Sequence, residues 1–173
     1  MTRFFYTHPM SEITIRPATL NDRAFIRSVS ERTWPSTYGH IIAQEQIEFM
    51  LDWMYSDAAL AEQFEQGHQF YIATYNGADI GFCSVSEETI KQHKLNKLYV
   101  LPSAQGTGSG KALLNKAIEV AMTAGSSSLF LQVNKLNNAY TFYLKNGFVK
   151  EAEHKFDIGN GFFMDDYVMR LSF

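Results

Sequence analysis

Residues 98–114 constrain the fold of this chain more than any other stretch, and they read LYVLPSAQGTGSGKALL. A run of β-forming residues ends at Pro102, glycines follow at positions 106, 108 and 110, and an amphipathic helical pattern begins directly afterwards. Glycines allow the backbone to approach a phosphate closely, and the N-terminus of a helix adds partial positive charge there. The stretch therefore predicts a strand, a glycine loop and a helix whose main chain binds a phosphorylated ligand.

The spacing of this glycine loop excludes two common phosphate-binding motifs. A nucleotide-triphosphate P-loop needs glycine at position 105 and Ser or Thr at position 112, where this chain has Gln105 and Ala112. A dinucleotide fingerprint needs a third glycine three positions after its first pair, and none follows Gly108 or Gly110 at that spacing. What remains is Gln-x-x-Gly-x-Gly after a strand, with a plain glycine-rich turn as the alternative interpretation.

Length and composition favour one enzyme-sized domain. The chain has 173 residues, of which 46% are hydrophobic and 14% aromatic, enough to bury a substantial core. We expect an N-terminal tail over residues 1–10 and a single domain over residues 11–173. Cys83 is the only cysteine and lies in an apolar run, which indicates a buried thiol and a reducing compartment.

Charge and hydropathy patterning exclude other classes of partner. The net charge of −3 is spread along the chain without a basic cluster, so we expect no nucleic-acid partner. Residues 1–10 lack the apolar run of a signal peptide, and no stretch is apolar enough for a membrane span. We therefore expect a cytoplasmic protein with no membrane partner.

Hydrophobic periodicity predicts an α+β domain. A capping box at Thr19–Asp22 begins a helix that runs to about Arg32, and Trp34–Tyr38 is interpreted as a loop that ends it. The expected architecture is a mixed, mostly antiparallel sheet of about seven strands flanked by helices on both faces. The strands are predicted at 12–17, 69–75, 79–86, 94–100, 127–134, 148–156 and 164–172, and the further helices at 43–54, 57–66, about 109–124 and 137–146.

A second segment supplies an independent signature. Residues 129–148 read LFLQVNKLNNAYTFYLKNGF, in which a strand ends in Val-Asn and is followed by Asn, Ala, Tyr and Gly-Phe. Together with the glycine loop, this segment resembles the two signatures of the GCN5-related N-acetyltransferases (GNAT). The resemblance implies the GNAT fold, acetyl-CoA as cosubstrate, no metal, and direct transfer of the acetyl group to a primary amine in a ternary complex.

The resemblance also implies a set of cofactor contacts. Backbone groups of Tyr99 and Val100, on the strand before the glycine loop, would hold the pantetheine arm, and the N–H of Val100 would donate to the thioester oxygen. Loop residues would surround the pyrophosphate, and Asn137 could contact the cofactor or simply cap the next helix. The full set is Leu98, Tyr99, Val100, Gln105, Gly106, Thr107, Gly108, Ser109, Gly110, Lys111, Asn134, Asn137, Tyr140, Tyr143 and Lys145.

Tyr143 is the predicted general acid. It lies four residues after Ala139 and four before Gly147, which is the family position, and its phenol could donate a proton to the leaving sulfur. The alternative is that Tyr143 is an aromatic core residue, as its neighbours Tyr140 and Phe142 could be.

The general base is less defined by the sequence. Many relatives place a Glu on the strand before the glycine loop, whereas this chain offers Lys94, Asn96 and Lys97. Asn96 could orient a water but cannot itself act as a base, so Glu31 on the first helix is the named candidate. The other candidates are Glu87 and Glu88 after the hairpin and His93, which is interpreted as a loop residue.

The acceptor rests on a weaker resemblance. Residues 111–119, 147–159 and 165–169 are similar to bacterial spermidine/spermine acetyltransferases, which suggests a polyamine. Lys94 and Lys97 oppose a polycation, and the alternatives are a protein N-terminus or lysine, or a non-catalytic sensor of acetyl-CoA. The protein partner that we consider is a second copy of the chain, in a homodimer. The acidic residues that could attract a polyamine are Glu31, Glu45, Glu48, Asp52, Glu87 and Glu88.

Overall fold

The computed structural model describes residues 12–173, so the tail predicted at residues 1–10 lies outside the described part. Seven strands and five α-helices follow one another in nearly the predicted order. The strands are β1 (Ile13–Pro17), β2 (Gln69–Tyr75), β3 (Ala78–Thr89), β4 (Gln92–Val100), β5 (Ser128–Asn134), β6 (Val149–Gly159) and β7 (Phe162–Ser172). The helices are α1 (Arg23–Tyr38), α2 (Gln44–Tyr55), α3 (Asp57–Glu65), α4 (Ser109–Thr123) and α5 (Ala139–Lys145).

The strands form one mixed sheet in the order β1-β2-β3-β4-β5-β7-β6. All neighbouring pairs are antiparallel except β4 and β5, which run parallel and are connected through α4. The predicted hairpin of β2 and β3 is present, with its turn at Asn76 and Gly77. The predicted α+β class and mostly antiparallel sheet are confirmed.

Helices cover both faces of this sheet, as the alternation along β3 shows. The Cys83 thiol lies 3.6 Å from the Leu113 carbonyl of α4, whereas the neighbouring Phe82 packs against Tyr55 of α2. Because adjacent strand residues point to opposite faces, α4 and α2 lie on opposite sides. β3 is accordingly buried from residue 80 to residue 86, and burial raises the pKa of Cys83 to about 12.

β4 and β5 separate along their length. They pair only from Gln92 with Ser128 to Leu95 with Leu131, although both strands continue beyond these residues. Antiparallel pairing holds β4 to β3 as far as Val100 opposite Gly81, and β5 to β7 as far as Asn134. The sheet therefore opens into a gap between the C-terminal halves of its two parallel strands.

The predicted loop at Trp34–Tyr38 is wrong, because α1 continues through it with Pro35 inside the helix. Proline removes one backbone donor and normally ends or kinks a helix. Here the buried Trp34 packs on Tyr38 one turn later, with 4.6 Å between ring centroids, and the Gly39 N–H donates to the Pro35 carbonyl. The extra turn places Trp34 and Tyr38 against Tyr99 of β4, which borders the gap between β4 and β5.

In the part of the chain that the structure describes, no helix is both long enough and apolar enough to cross a membrane.

Candidate active site

The glycine loop leaves β4 and begins α4 in a conformation that glycine favours. Gly106 and Gly108 have φ angles of 81° and 92°, and Gly108 is the residue that precedes the first turn of α4. Thr107 tightens the loop, because its hydroxyl donates to the Ala104 carbonyl at 2.7 Å. The first N–H groups of α4 have no partner within the helix and carry the positive end of its dipole. This geometry fits an anion such as a pyrophosphate.

A groove of about 650 Å³ runs from this loop along the end of β4. We call it the glycine-loop groove. It contains most of the predicted cofactor contacts, including Leu98, Tyr99, Val100, Gln105, Gly106, Gly108, Gly110, Lys111 and Asn137. Thr33, Ser36, Thr37 and His40 from α1 and the residues just after it also line the groove and were not predicted.

Backbone groups of Leu98 and Val100 face the gap between β4 and β5. The Leu101 N–H donates to the Ile80 carbonyl at 2.8 Å, toward β3. Because alternate residues of a strand direct their N–H groups to opposite sides, Val100 and Leu98 direct theirs away from β3. The same alternation turns the backbone of Tyr99 toward β3, so its predicted main-chain contact with the pantetheine arm receives no support.

The remaining predicted cofactor residues lie outside this groove. Thr107 and Ser109 bond to each other at 2.7 Å, and Asn134 lines a different cavity. Tyr140 packs against Tyr167, and Lys145 is exposed at the end of α5. For Asn137, which does line the groove, the capping interpretation is observed, since its side-chain oxygen accepts from the Ala139 N–H at 2.9 Å.

Tyr143 is buried, with 8% of its surface exposed. Its ring packs edge-on against Phe142 and Phe148, with centroids 5.3 and 5.6 Å away. Burial raises its pKa above the usual value, so the phenol keeps its proton. Phe142, and not Tyr143, lines the glycine-loop groove. Tyr143 therefore packs against a residue that lines the groove but does not line the groove itself.

A second cavity, also of about 650 Å³, lies on the other side of the gap. We call it the aromatic cavity. Its walls come from α1, α2, β4 and the tip of the β6–β7 hairpin, which α2 contacts where Gln46 donates to the Phe163 carbonyl at 2.7 Å. The large apolar lining residues are Trp34, Ile42, Met50, Trp53, Met54, Tyr55, Phe156, Ile158, Phe163 and Met164.

Tyr99 lines both the glycine-loop groove and the aromatic cavity and so marks their junction. Its hydroxyl lies 3.1 Å from that of Tyr38, and the Asn137 amide nitrogen lies 3.5 Å from the Tyr38 hydroxyl. Burial raises the pKa of both tyrosines, which keeps them protonated. The hydroxyl of Tyr38 was missed by the sequence analysis because its segment was interpreted as a loop.

The predicted bases occupy very different positions. Asn96 lines the aromatic cavity and donates to the Ser86 hydroxyl at 2.8 Å. Glu31 lines neither cavity, because its half-exposed carboxylate pairs with Arg27 at 2.7 Å. His93 is a buried residue of β4, not a loop residue, and bonds to Ser126 at 2.7 Å. Glu87 and Glu88 are exposed and line neither cavity.

None of the four charged residues that line the aromatic cavity was predicted as a site residue: Lys94, Asp157 and the two buried ones, Lys97 and Asp166. Asp166 of β7 is 3% exposed, and burial raises the pKa of its carboxyl to about 6. Lys97 of β4 is 9% exposed, and burial lowers the pKa of its ammonium to about 8. Within residues 12–173 neither side chain forms a hydrogen bond or ion pair. A period of two from the buried Leu95 could have placed Lys97 inside, whereas Asp166 carries no local signal.

The described residues contain no group of three or more His, Cys, Asp or Glu side chains that could hold a metal ion.

The sequence matches one family model and is similar to several N-acetyltransferases. Residues 40–170 match the acetyltransferase (GNAT) domain. The chain is 30% identical over 152 residues to an uncharacterized N-acetyltransferase of Mycobacterium tuberculosis, and this match covers 87% of the chain and 97% of the relative. It is 28% identical over 145 residues to the spermidine N(1)-acetyltransferase of Thermoplasma acidophilum, and this match covers 80% of the chain and 89% of the relative.

Solved structures show the same similarity. The PaiA N-acetyltransferase of Thermoplasma acidophilum, in complex with coenzyme A, superposes with a TM-score of 0.80 and 26% identity. The match covers 94% of this chain and 99% of that one. The similarity therefore extends over nearly the whole fold.

The buried Asp166 generates a pH dependence of stability. Its pKa of about 6 in the folded protein exceeds the ordinary 3.8, so the folded state binds an extra proton between these values. The stability from this proton is full below about pH 4 and is lost as the pH rises through 6. Relative to Asp166→Asn, the wild type should lose roughly 2–3 kcal/mol of unfolding free energy from pH 4 to pH 7. Urea denaturation measures this, and parallel curves for the two proteins would contradict it.

Proposed function

Because the chain belongs to the GNAT family of N-acetyltransferases, we propose that it transfers the acetyl group of acetyl-CoA to a small primary amine by direct attack. The family and the enzyme class follow from the match over residues 40–170 and from similarity to N-acetyltransferases along most of the chain. Acetyl-CoA as cosubstrate is supported by the coenzyme A complex of the similar PaiA structure. Beyond the family and the enzyme class, we propose that the acceptor is small and that particular residues take part in the transfer.

One observation carries the proposal: the two cavities meet at the gap where Val100 turns its N–H away from β3. A donor cosubstrate held by the glycine loop would extend along β4 toward this N–H. An acceptor in the aromatic cavity would reach the same place from the other side. A backbone N–H that is fixed by strand pairing is a preorganised donor for a developing negative charge.

The chemistry needs an oxyanion donor, a base and an acid. Val100 would donate its N–H to the thioester oxygen while the amine nitrogen forms a C–N bond and the C–S bond breaks. The ammonium must first lose a proton, and Asp166, the buried one of the two carboxylates that line the cavity, could accept it, with Asn96 orienting a water nearby. Tyr143 would donate its proton to the leaving sulfur, and the second proton that the attacking nitrogen loses would restore the phenol. The proton that Asp166 accepted goes to solvent, so an ammonium and acetyl-CoA give an amide, the free thiol of coenzyme A and one proton.

The walls of the aromatic cavity favour a small acceptor over a protein chain. α2 and the β6–β7 hairpin contact each other through Gln46 and Phe163 and through Phe49 and Phe162, whose rings lie 5.5 Å apart. A cavity of about 650 Å³ with such walls has the size of sites for small molecules. Similarity to the spermidine N(1)-acetyltransferase of Thermoplasma acidophilum makes a polyamine one candidate. Of the acidic residues predicted to attract it, none lines the cavity.

A change at the glycine loop tests the donor site. Gly108→Leu places a side chain on a backbone with φ of 92° and should distort the loop. We expect the KM for acetyl-CoA to rise at least about tenfold, measured by thiol release at saturating amine. Gly125→Leu is the matched control, since Gly125 has a φ of 77° at the far end of α4 and open space around it. Equal KM values for the two variants would overturn the assignment of the loop.

A change at Tyr143 tests the general acid. Tyr143→Phe removes only the phenol, so kcat should fall about 100-fold while the KM for acetyl-CoA stays constant. Tyr71→Phe on β2 is the control, because that phenol already bonds to Gln69 on a strand that does not border the gap. If Tyr143→Phe keeps its turnover and Tyr38→Phe loses it, the acid is the hydroxyl pair of Tyr38 and Tyr99.

A further inference from the structure

The aromatic cavity contains buried charges of opposite sign that the protein itself leaves unpaired. Lys97 lies over the Tyr55 ring, 5.1 Å from its centroid, with no carboxylate partner in residues 12–173. Asp166 likewise has no cationic partner there, although eight of the described carboxylates accept salt bridges within 3.0 Å. Burying a charge without a partner is costly. Because both side chains line one cavity, a ligand bound there could supply both partners.

These two charges do not neutralise each other. Within residues 12–173, Lys97 and Asp166 form no ion pair with each other. They therefore lie apart in the cavity. Asp166 is opposite Asn134 in the sheet, beside the end of β5, whereas Lys97 is on β4 near Tyr55. The cavity thus has an anionic place and a cationic place that are separated.

Beside these charges, one part of the cavity wall is apolar. Tryptophan, methionine and phenylalanine side chains from α1, α2 and the β6–β7 hairpin can enclose an aliphatic or aromatic group, whereas β4 and β5 contribute polar side chains such as Asn96 and Gln132. A polycation such as spermidine would meet Lys94 and Lys97, which line the cavity together with Asp157 and Asp166, and would bring no anion to pair with Lys97. Repulsion from the two lysines opposes such an acceptor.

We propose that the acceptor is an amine that also carries a carboxylate and an apolar side chain, as a hydrophobic α-amino acid does. Asp166 accepts hydrogen bonds from its ammonium group beside the gap, Lys97 pairs with its carboxylate, and the aromatic wall encloses its side chain. This inference rests on the proposed function and identifies the class of its acceptor.

Matched acceptors test the proposal on the wild-type enzyme. Phenylalanine is compared with 2-phenylethylamine, methionine with 3-(methylthio)propylamine, and both pairs with spermidine, by thiol release from acetyl-CoA. We expect kcat/KM to be on the order of 100-fold higher for the member that carries a carboxylate. Members of a pair within threefold of each other, or a higher kcat/KM for spermidine, would overturn the inference. No turnover with any amine would instead overturn the proposed function on which it rests.

A lysine variant tests the role of Lys97 in the same assay. Lys97→Met should lower kcat/KM for phenylalanine by about 100-fold, through KM, and leave 2-phenylethylamine within threefold of wild type. Lys116→Met is the matched control, because Lys116 also lies over a tyrosine ring, 5.3 Å from Tyr71, but lines neither cavity. An equal loss on both acceptors, which a merely structural role would give, contradicts the assignment.

Discussion

The separation of β4 and β5 beyond Leu95 is the constraint on which the rest of the site depends. Strand pairing normally satisfies both edges of an internal strand, yet here β4 continues for five residues with only β3 beside it. Backbone groups of Leu98 and Val100 are thereby presented to a gap that has a groove on one side and a cavity on the other. A closed sheet from the same residues would have no place for the donor and acceptor to meet.

Local chemistry made part of this architecture predictable. The glycine loop, the Asn76-Gly77 hairpin and the capping box at Thr19 each depend on residues a few positions apart, and all three are present. The continuation of α1 through Pro35 was not predictable in this way. It depends on Trp34 packing against Tyr38, Tyr55 and Tyr99, and the last two come from distant segments.

The same distinction separates the donor side of the site from the acceptor side. Residues 98–111 are contiguous, so one motif locates most of the glycine-loop groove. The aromatic cavity is built from four distant parts of the chain, and its charges become meaningful only when Lys97 and Asp166 are brought into one buried space. Glu31, which was a candidate base from the sequence, forms an ion pair with Arg27 on the same helix and lies outside the aromatic cavity.

A crystal structure with acetyl-CoA bound would test the central claim most directly, through the distance from the Val100 backbone nitrogen to the thioester carbonyl oxygen. The account predicts about 2.7–3.1 Å, with the pyrophosphate on the N–H groups of the glycine loop and the acetyl carbon open to the aromatic cavity. A thioester oxygen bound elsewhere, or a Val100 N–H paired to another strand, would contradict it.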